Sequence, residues 1–220
     1  MAELLKLAEE LDFYLYLDDA HGTTILGERG EGAVLSQLPG PFPQRLFLSF
    51  SLTKGFGAAG GGILVPDRAR ESLVRTYGQI YAFSAPLDFA SVNACLTVLK
   101  LHRDGSVARL RRELHERVAL YDRLMDVDQP FSPIRMVKIG DEQLAIRCGR
   151  QLLESGYFVS VAFFPIVPKG HAQLRICLAS NHTPEEIVAL TNAIHRIVPR
   201  IERFGDPVVD AELRLAKGSE

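Results

Sequence analysis

The chain has 220 residues, 47% of them hydrophobic, and a formal net charge of −2 with acids and bases interspersed. That is enough chain and apolar content for one large domain or two small ones, and it supplies no basic field for nucleic acid or an anionic membrane surface. No apolar run reaches the length that spans a bilayer, and "MAELLKLAEELD" is acidic and amphipathic rather than a secretory leader. Cys95, Cys148 and Cys177 lie far apart in apolar surroundings and read as buried free thiols of a reducing compartment, so the expected location is the cytoplasm.

Leu4, Leu5, Leu7, Ala8 and Leu11 recur at helical spacing, so the chain opens with a helix. Phe13 to Leu17 reads as a strand buried on both faces. Arg45 to Ser51 reads as a second strand, and Gly61 to Val65 as a third that Pro66 stops. Asp67 caps a helix running to Tyr77. Pro86 starts a long helix through "LDFASVNACLTVLKLH", and another runs from Ser106 to Met125. A polar, proline-containing linker follows at 126–133. Beyond it come the strand "IRMVKIG", the helix "DEQLAIRCGRQLLESG", and the strands "YFVSVAFF" and "AQLRICLA". The last helix, "TPEEIVALTNAIHRIV", has Thr183 as cap, Pro184 at its first position and Glu186 completing a capping box. The order predicts an α/β portion over 1–126, bridged by the helix from Ser106 to a small α+β domain over 127–204. A loosely ordered tail is expected over 205–220.

Three clusters could carry chemistry. "LDDAHG" ends an apolar strand in Asp18, Asp19 and His21, and the carboxyl ends of strands in open α/β sheets are where ligands sit. Taken alone it also fits a polar turn. As a zinc site it lacks a second ligand cluster at metal spacing, so no metal is expected. "SFSLTKGFGAAGGG" places Lys54 after a strand and before small residues that give backbone room. Its glycines follow the lysine rather than precede it, so it is not a Walker A loop, and a plain surface lysine stays open. Arg175 in "QLRICLA" is a lone guanidinium in an apolar strand, which could also reach solvent. The conjunction is more specific than its parts. If the first two strands pair in parallel, Asp-x-Ala-His and Ser-x-x-Lys meet at one sheet edge.

"LDDAHGTTILGERGEG", "SLTKGFGAAGGG", "YAFSAPL" and "FFPIVPKGHAQLRICLASNHTPEEI" occur in the order of fold-type I pyridoxal-phosphate (PLP) enzymes. Together they resemble the α-oxoamine synthases, of the glycine C-acetyltransferase and 8-amino-7-oxononanoate synthase kind, with the last segment nearest the former. The resemblance implies an α/β fold, a partial PLP-transferase large domain followed by a small α+β C-terminal domain. It implies a PLP-dependent acyltransferase that condenses an amino acid with an acyl-CoA. Asp18 matches the carboxylate at the pyridine nitrogen, expected to be buried there. His21 matches the histidine near the ring hydroxyl. Ser51 matches a hydroxyl that helps hold the cofactor, and Ser84 lies in a segment that approaches the active site of the partner subunit. Lys54 matches the lysine that bonds covalently to PLP and then acts as base, which calls for a desolvated pocket. Arg175 matches the arginine that grips the substrate carboxylate. Phe163 and Phe164 stand where some branches carry a further arginine, which leaves the acyl-side specificity open.

The resemblance covers the second half of such an enzyme and omits the glycine-rich phosphate loop and the residue stacked on the pyridine ring. The chain is therefore expected to be a fragment, a truncated reading frame or one part of a split enzyme, inactive alone, with an open sheet edge. Its expected associates are a second copy, a complete subunit or the missing N-terminal half. Two other readings share the ancestry: a non-catalytic interaction subunit, and an aminotransferase, which usually carries Tyr at the His21 position.

Overall fold

The computed structural model describes residues 1–38 and 40–198; the tail expected over 205–220 lies outside the described residues, as does the end of the expected small domain. The chain divides into two compact units, Met1–Arg111 and the chain from Arg112 onward.

The first unit opens with α1 (Ala2–Glu10) and β1 (Leu15–Asp18), followed by a long loop, β2 (Leu46–Ser51) and β3 (Gly61–Leu64). The sheet order is β1-β2-β3, with β1 and β2 parallel and β2 and β3 antiparallel. The parallel register pairs Leu15 with Leu46, Leu17 with Leu48 and Asp18 with Ser49. Side chains alternate along a strand, so Leu15, Leu17, Leu46 and Leu48 share one face. There they meet Val34, Leu35 and Phe42 from the loop and Met1 and Leu5 at the N-terminus. Leu46 and Leu48 are fully buried, each contributing on the order of 1.5–3 kcal/mol.

The opposite face carries Tyr16 and Asp18, and Tyr16 is 65% exposed. The strand expected to be buried on both faces is thus covered on one. α1 and the loop supply that single cover, and among the described residues β1 pairs only with β2, so its outer edge is open as expected.

α2 (Arg68–Tyr77) starts at Asp67, whose side chain accepts from the Arg70 N–H. A one-turn α3 (Gln79–Ala82) precedes α4 (Phe89–Arg103). α4 begins at Asp88 rather than Pro86, because the Asp88 carboxylate accepts from the Ser91 N–H and hydroxyl and so caps the helix. Ile80, Phe83 and Phe89 are 89–91% exposed. α5 (Ser106–Met125) runs across the division between the units.

In the second unit β4 (Ile134–Gly140), β6 (Ala172–Cys177) and β5 (Ser160–Ala162) form an antiparallel sheet in the order β4-β6-β5. α6 (Glu142–Glu154) packs on it and on α7 (Pro184–Ile197), which has the expected capping box at Thr183 and Glu186. β5 covers only three residues of "YFVSVAFF", because Pro165 and the turn at Phe163–Val167 end the ladder. Of the three thiols, Cys148 is buried, Cys95 partly so and Cys177 exposed. Leu174 and Ile176 face the core, so alternation turns Cys177 outward.

Candidate active site

Asp19 N–H donates to the Ser49 carbonyl, 2.9 Å, continuing the parallel ladder past Asp18. The chain then turns: the Asp19 carbonyl accepts from the Gly22 and Thr23 N–H groups at 3.1 and 3.0 Å and from the Thr23 hydroxyl at 2.9 Å. His21 sits inside this turn. Asp18 Oδ1 accepts from the Ala20 N–H at 2.8 Å, an Asx-type bond that fixes the carboxylate against the same turn. Asp18 and His21 are both exposed; the expected burial of Asp18 is not met, because it lies on the uncovered face of β1.

β2 ends in the second cluster. Ser51 Oγ accepts from the Thr53 N–H at 3.1 Å and pairs with the Thr53 hydroxyl at 2.7 Å, which shapes the entry to Lys54. The Lys54 carbonyl accepts from the Gly57 N–H at 2.9 Å, and Gly57 has φ +69°, a conformation glycine adopts without penalty. Lys54 is exposed rather than desolvated, since nothing among the described residues closes over it. What approaches the glycines is this chain itself. A side chain at Gly60 would run into Leu87, and one at Gly62 would meet the Phe50 ring at 2.5 Å. Ser84, between α3 and α4, is exposed, its hydroxyl donating to the Tyr81 carbonyl at 3.1 Å.

The two loops touch. A Cβ on Gly55 would lie 3.1 Å from both the Thr23 carbonyl and Ile25, so the residue after Lys54 packs against the loop that carries His21. Parallel pairing and this contact bring Asp18, His21, Ser51 and Lys54 to one end of the sheet. Arg175 belongs to the second unit, on β6 opposite Met136 and Ser160 and half-buried on the face away from Leu174 and Ile176.

Residues not marked by any sequence motif hold the loop. Arg111 donates from Nε to the Ile25 carbonyl at 3.1 Å, from Nη1 to Glu28 at 2.9 Å and from Nη2 to Gly27. His102 stacks on Phe56, with centroids 6.1 Å apart. Burial and the Arg111 charge both push His102 below its ordinary pKa. The unfolded chain, near 6.5, therefore takes up the proton more readily, and the stability due to neutral His102 is present above that pH and lost as pH falls below it. The protection factors of the Thr24 and Gly32 amides, whose hydrogen bonds close this loop, are expected to fall from pH 7 to pH 5.5 once the intrinsic pH dependence of exchange is divided out. His102→Gln should flatten that trend, and an unchanged slope would assign it to another group.

The set suits PLP chemically: a carboxylate for a ring nitrogen, an amine for a carbonyl carbon and hydroxyls for polar substituents. The aminotransferase class I and II family model matches residues 1–194. An 8-amino-7-oxononanoate synthase of Methylobacillus flagellatus is 33% identical over 88% of this chain and 49% of its own length. The 2-amino-3-ketobutyrate coenzyme A ligase of Escherichia coli is 30% identical over 87% and 48%. Among solved structures, 8-amino-7-oxononanoate synthase of Francisella tularensis superposes with TM-score 0.72 at 28% identity, over 88% of this chain and 57% of that one. Serine palmitoyltransferase of S. paucimobilis, solved with PLP and myriocin bound, gives TM-score 0.77 at 21% identity over 89% and 51%, and so shares the fold. The chain spans about half the length of the curated relatives it matches, in their C-terminal part. It belongs to the aminotransferase class I and II family, in the α-oxoamine synthase branch.

Proposed function

We propose that this chain supplies the cofactor-anchoring part of a PLP-dependent acyltransferase that condenses an amino acid with an acyl-CoA. The observation that carries the reading is the parallel β1–β2 pair, which sets Asp18 and the Ser51–Lys54 segment at one sheet end with their loops in contact. Bound PLP supplies an electron sink beside the α-carbon of the amino acid. Asp18 holds a proton at the ring nitrogen by its negative charge. Lys54 Nζ would be the amine that holds the cofactor's carbonyl carbon, with loss of water, and would be the base nearest the α-proton of the amino acid. Ser51 donates to the cofactor, His21 orients the acyl carbonyl, and Arg175 offers its two-pronged donors to the substrate carboxylate.

Exposure of Asp18, Lys54 and Ser84 favours a site completed by a further segment or subunit. The open edge of β1 and the bare Ile80, Phe83 and Phe89 give such a partner an apolar surface. The 220-residue chain alone is expected to take up PLP weakly and without saturation. It should release no CoA from acyl-CoA with glycine, serine or alanine. Saturable visible absorbance together with CoA release would show that the chain needs no such completion. In the completed enzyme Arg175→Lys should raise the amino-acid KM by the equivalent of roughly 1.5–3 kcal/mol, a charged hydrogen bond, and move the acyl-CoA KM little. Equal effects on both substrates would make Arg175 a structural residue.

A further inference from the structure

The acid beside Asp18 is the one that is buried: Asp19 is 6% exposed. Its Oδ2 accepts from the Val34 N–H at 3.0 Å, fifteen residues further along the chain. Gly22 and Gly32 both lie flat against this carboxylate. A Cβ on Gly22 would collide with Oδ1 and one on Gly32 with Oδ2. The Asp19 carbonyl meanwhile closes the turn around His21 through Gly22 and Thr23. One residue therefore holds both ends of the loop from Ala20 to Ala33, while Arg111 holds its far side.

We propose that Asp19 is a positioning residue, whose carboxylate closes this loop and so fixes His21 and the Thr23–Ile25 wall against which Gly55, the neighbour of Lys54, is seated. Its relevance to catalysis rests on the function proposed above. A buried Val34 N–H without its acceptor costs free energy, and the space left by the carboxylate frees both glycine-lined strands of the loop. Asn keeps one acceptor oxygen in the same shape, so it is the conservative replacement.

The test uses the full chain without cofactor, with histidine imidazoles labelled for NMR and the His21 resonance assigned by His21→Gln. In Asp19→Ala, amide exchange at Gly22 and Val34 should rise about tenfold or more, the size of one lost buried hydrogen bond. The His21 resonance should move, while those of His171 and His182 in the second unit stay in place. Asp19→Asn should keep His21 near its original position. Faster exchange with an unmoved His21 resonance would reduce Asp19 to a core residue with no hold on the site. Should Asp19→Ala fail to fold, Gly22→Ala drives a methyl group into the same carboxylate and is expected to shift His21; no shift there rejects the proposal equally. Covalent labelling of Lys54 tests the functional reading separately. A moved His21 with an unlabelled Lys54 leaves the clamp standing and removes the activity, and the reverse outcome does the opposite.

Discussion

Lys54→Ala is expected to abolish covalent capture of PLP in the completed enzyme. After borohydride reduction, peptide mapping of the unaltered protein should find the cofactor on Lys54, and the variant should carry none. The argument is positional. Lys54 opens a tight turn that begins three residues after β2, held by the Ser51–Thr53 hydroxyl pair on one side and by the Lys54–Gly57 hydrogen bond on the other. Its amine therefore stands on a defined backbone at the sheet end that also bears Asp18. Lys138 lies on β4 and Lys169 over the Phe164 ring, both in the second unit and neither on the sheet that bears Asp18. A label on either of them would reject the assignment. Lys54→Arg should fail like Ala, because a guanidinium stays protonated and cannot attack a carbonyl carbon.

Most elements were legible because local signals and tertiary context agree. Thr183, Pro184 and Glu186 announce α7 by their own side-chain chemistry, and the structure forms that capping box. Asp67 does the same for α2. The parallel pairing of β1 with β2 stood as a condition in the sequence, and the register meets it. Burial was less legible. A continuous apolar run such as "FYLYL" looks the same whether one face or both are covered, and here Tyr14 and Tyr16 face outward. Pro86 looked like a helix start until Asp88 took the cap, since a side-chain acceptor two residues later competes with a first-turn proline. Within the site, motif residues were visible as unusual types at strand ends, but their supports were not. Arg111 reads as one of many arginines on a charged helix. Only the fold brings it to three carbonyls more than eighty residues earlier. Asp19 was visible as an acid and hidden as a clamp; Gly22 and Gly32 were its signal, small residues placed to clear a carboxylate.

The largest stability effect is expected from breaking the pair Asp122–Arg135. Arg135 is an arginine at a core position of β4, 2% exposed, paired with Ile176 in the ladder. Its Nε and Nη2 donate to the two Asp122 oxygens at 2.6 Å each, and Nη1 reaches the Pro130 carbonyl at 3.3 Å. The bidentate pair ties the end of α5 to β4 and pins the linker between them. Asp122 in turn raises the pKa of Arg135, and burial first, then Asp122, pushes Tyr121 above the ordinary tyrosine range. Removing one partner leaves the other charge buried without compensation, so Asp122→Ala should cost about 3–5 kcal/mol. The loss should appear as faster amide exchange across β4 and β6, while the first unit keeps its protection. Replacing both partners by apolar residues of similar volume, Asp122→Leu with Arg135→Met, should recover most of it, because the desolvation cost leaves together with the attraction. An Asp122→Ala chain that keeps its β4 protection would show that the pair contributes no more than a surface salt bridge. A double variant as weak as Asp122→Ala would place the value in the hydrogen-bond geometry itself, including the Pro130 contact. The consequence extends along β4 through register. Arg135 is the residue before Met136, which pairs with Arg175, so the buried ion pair also fixes the register of the strand opposite Arg175.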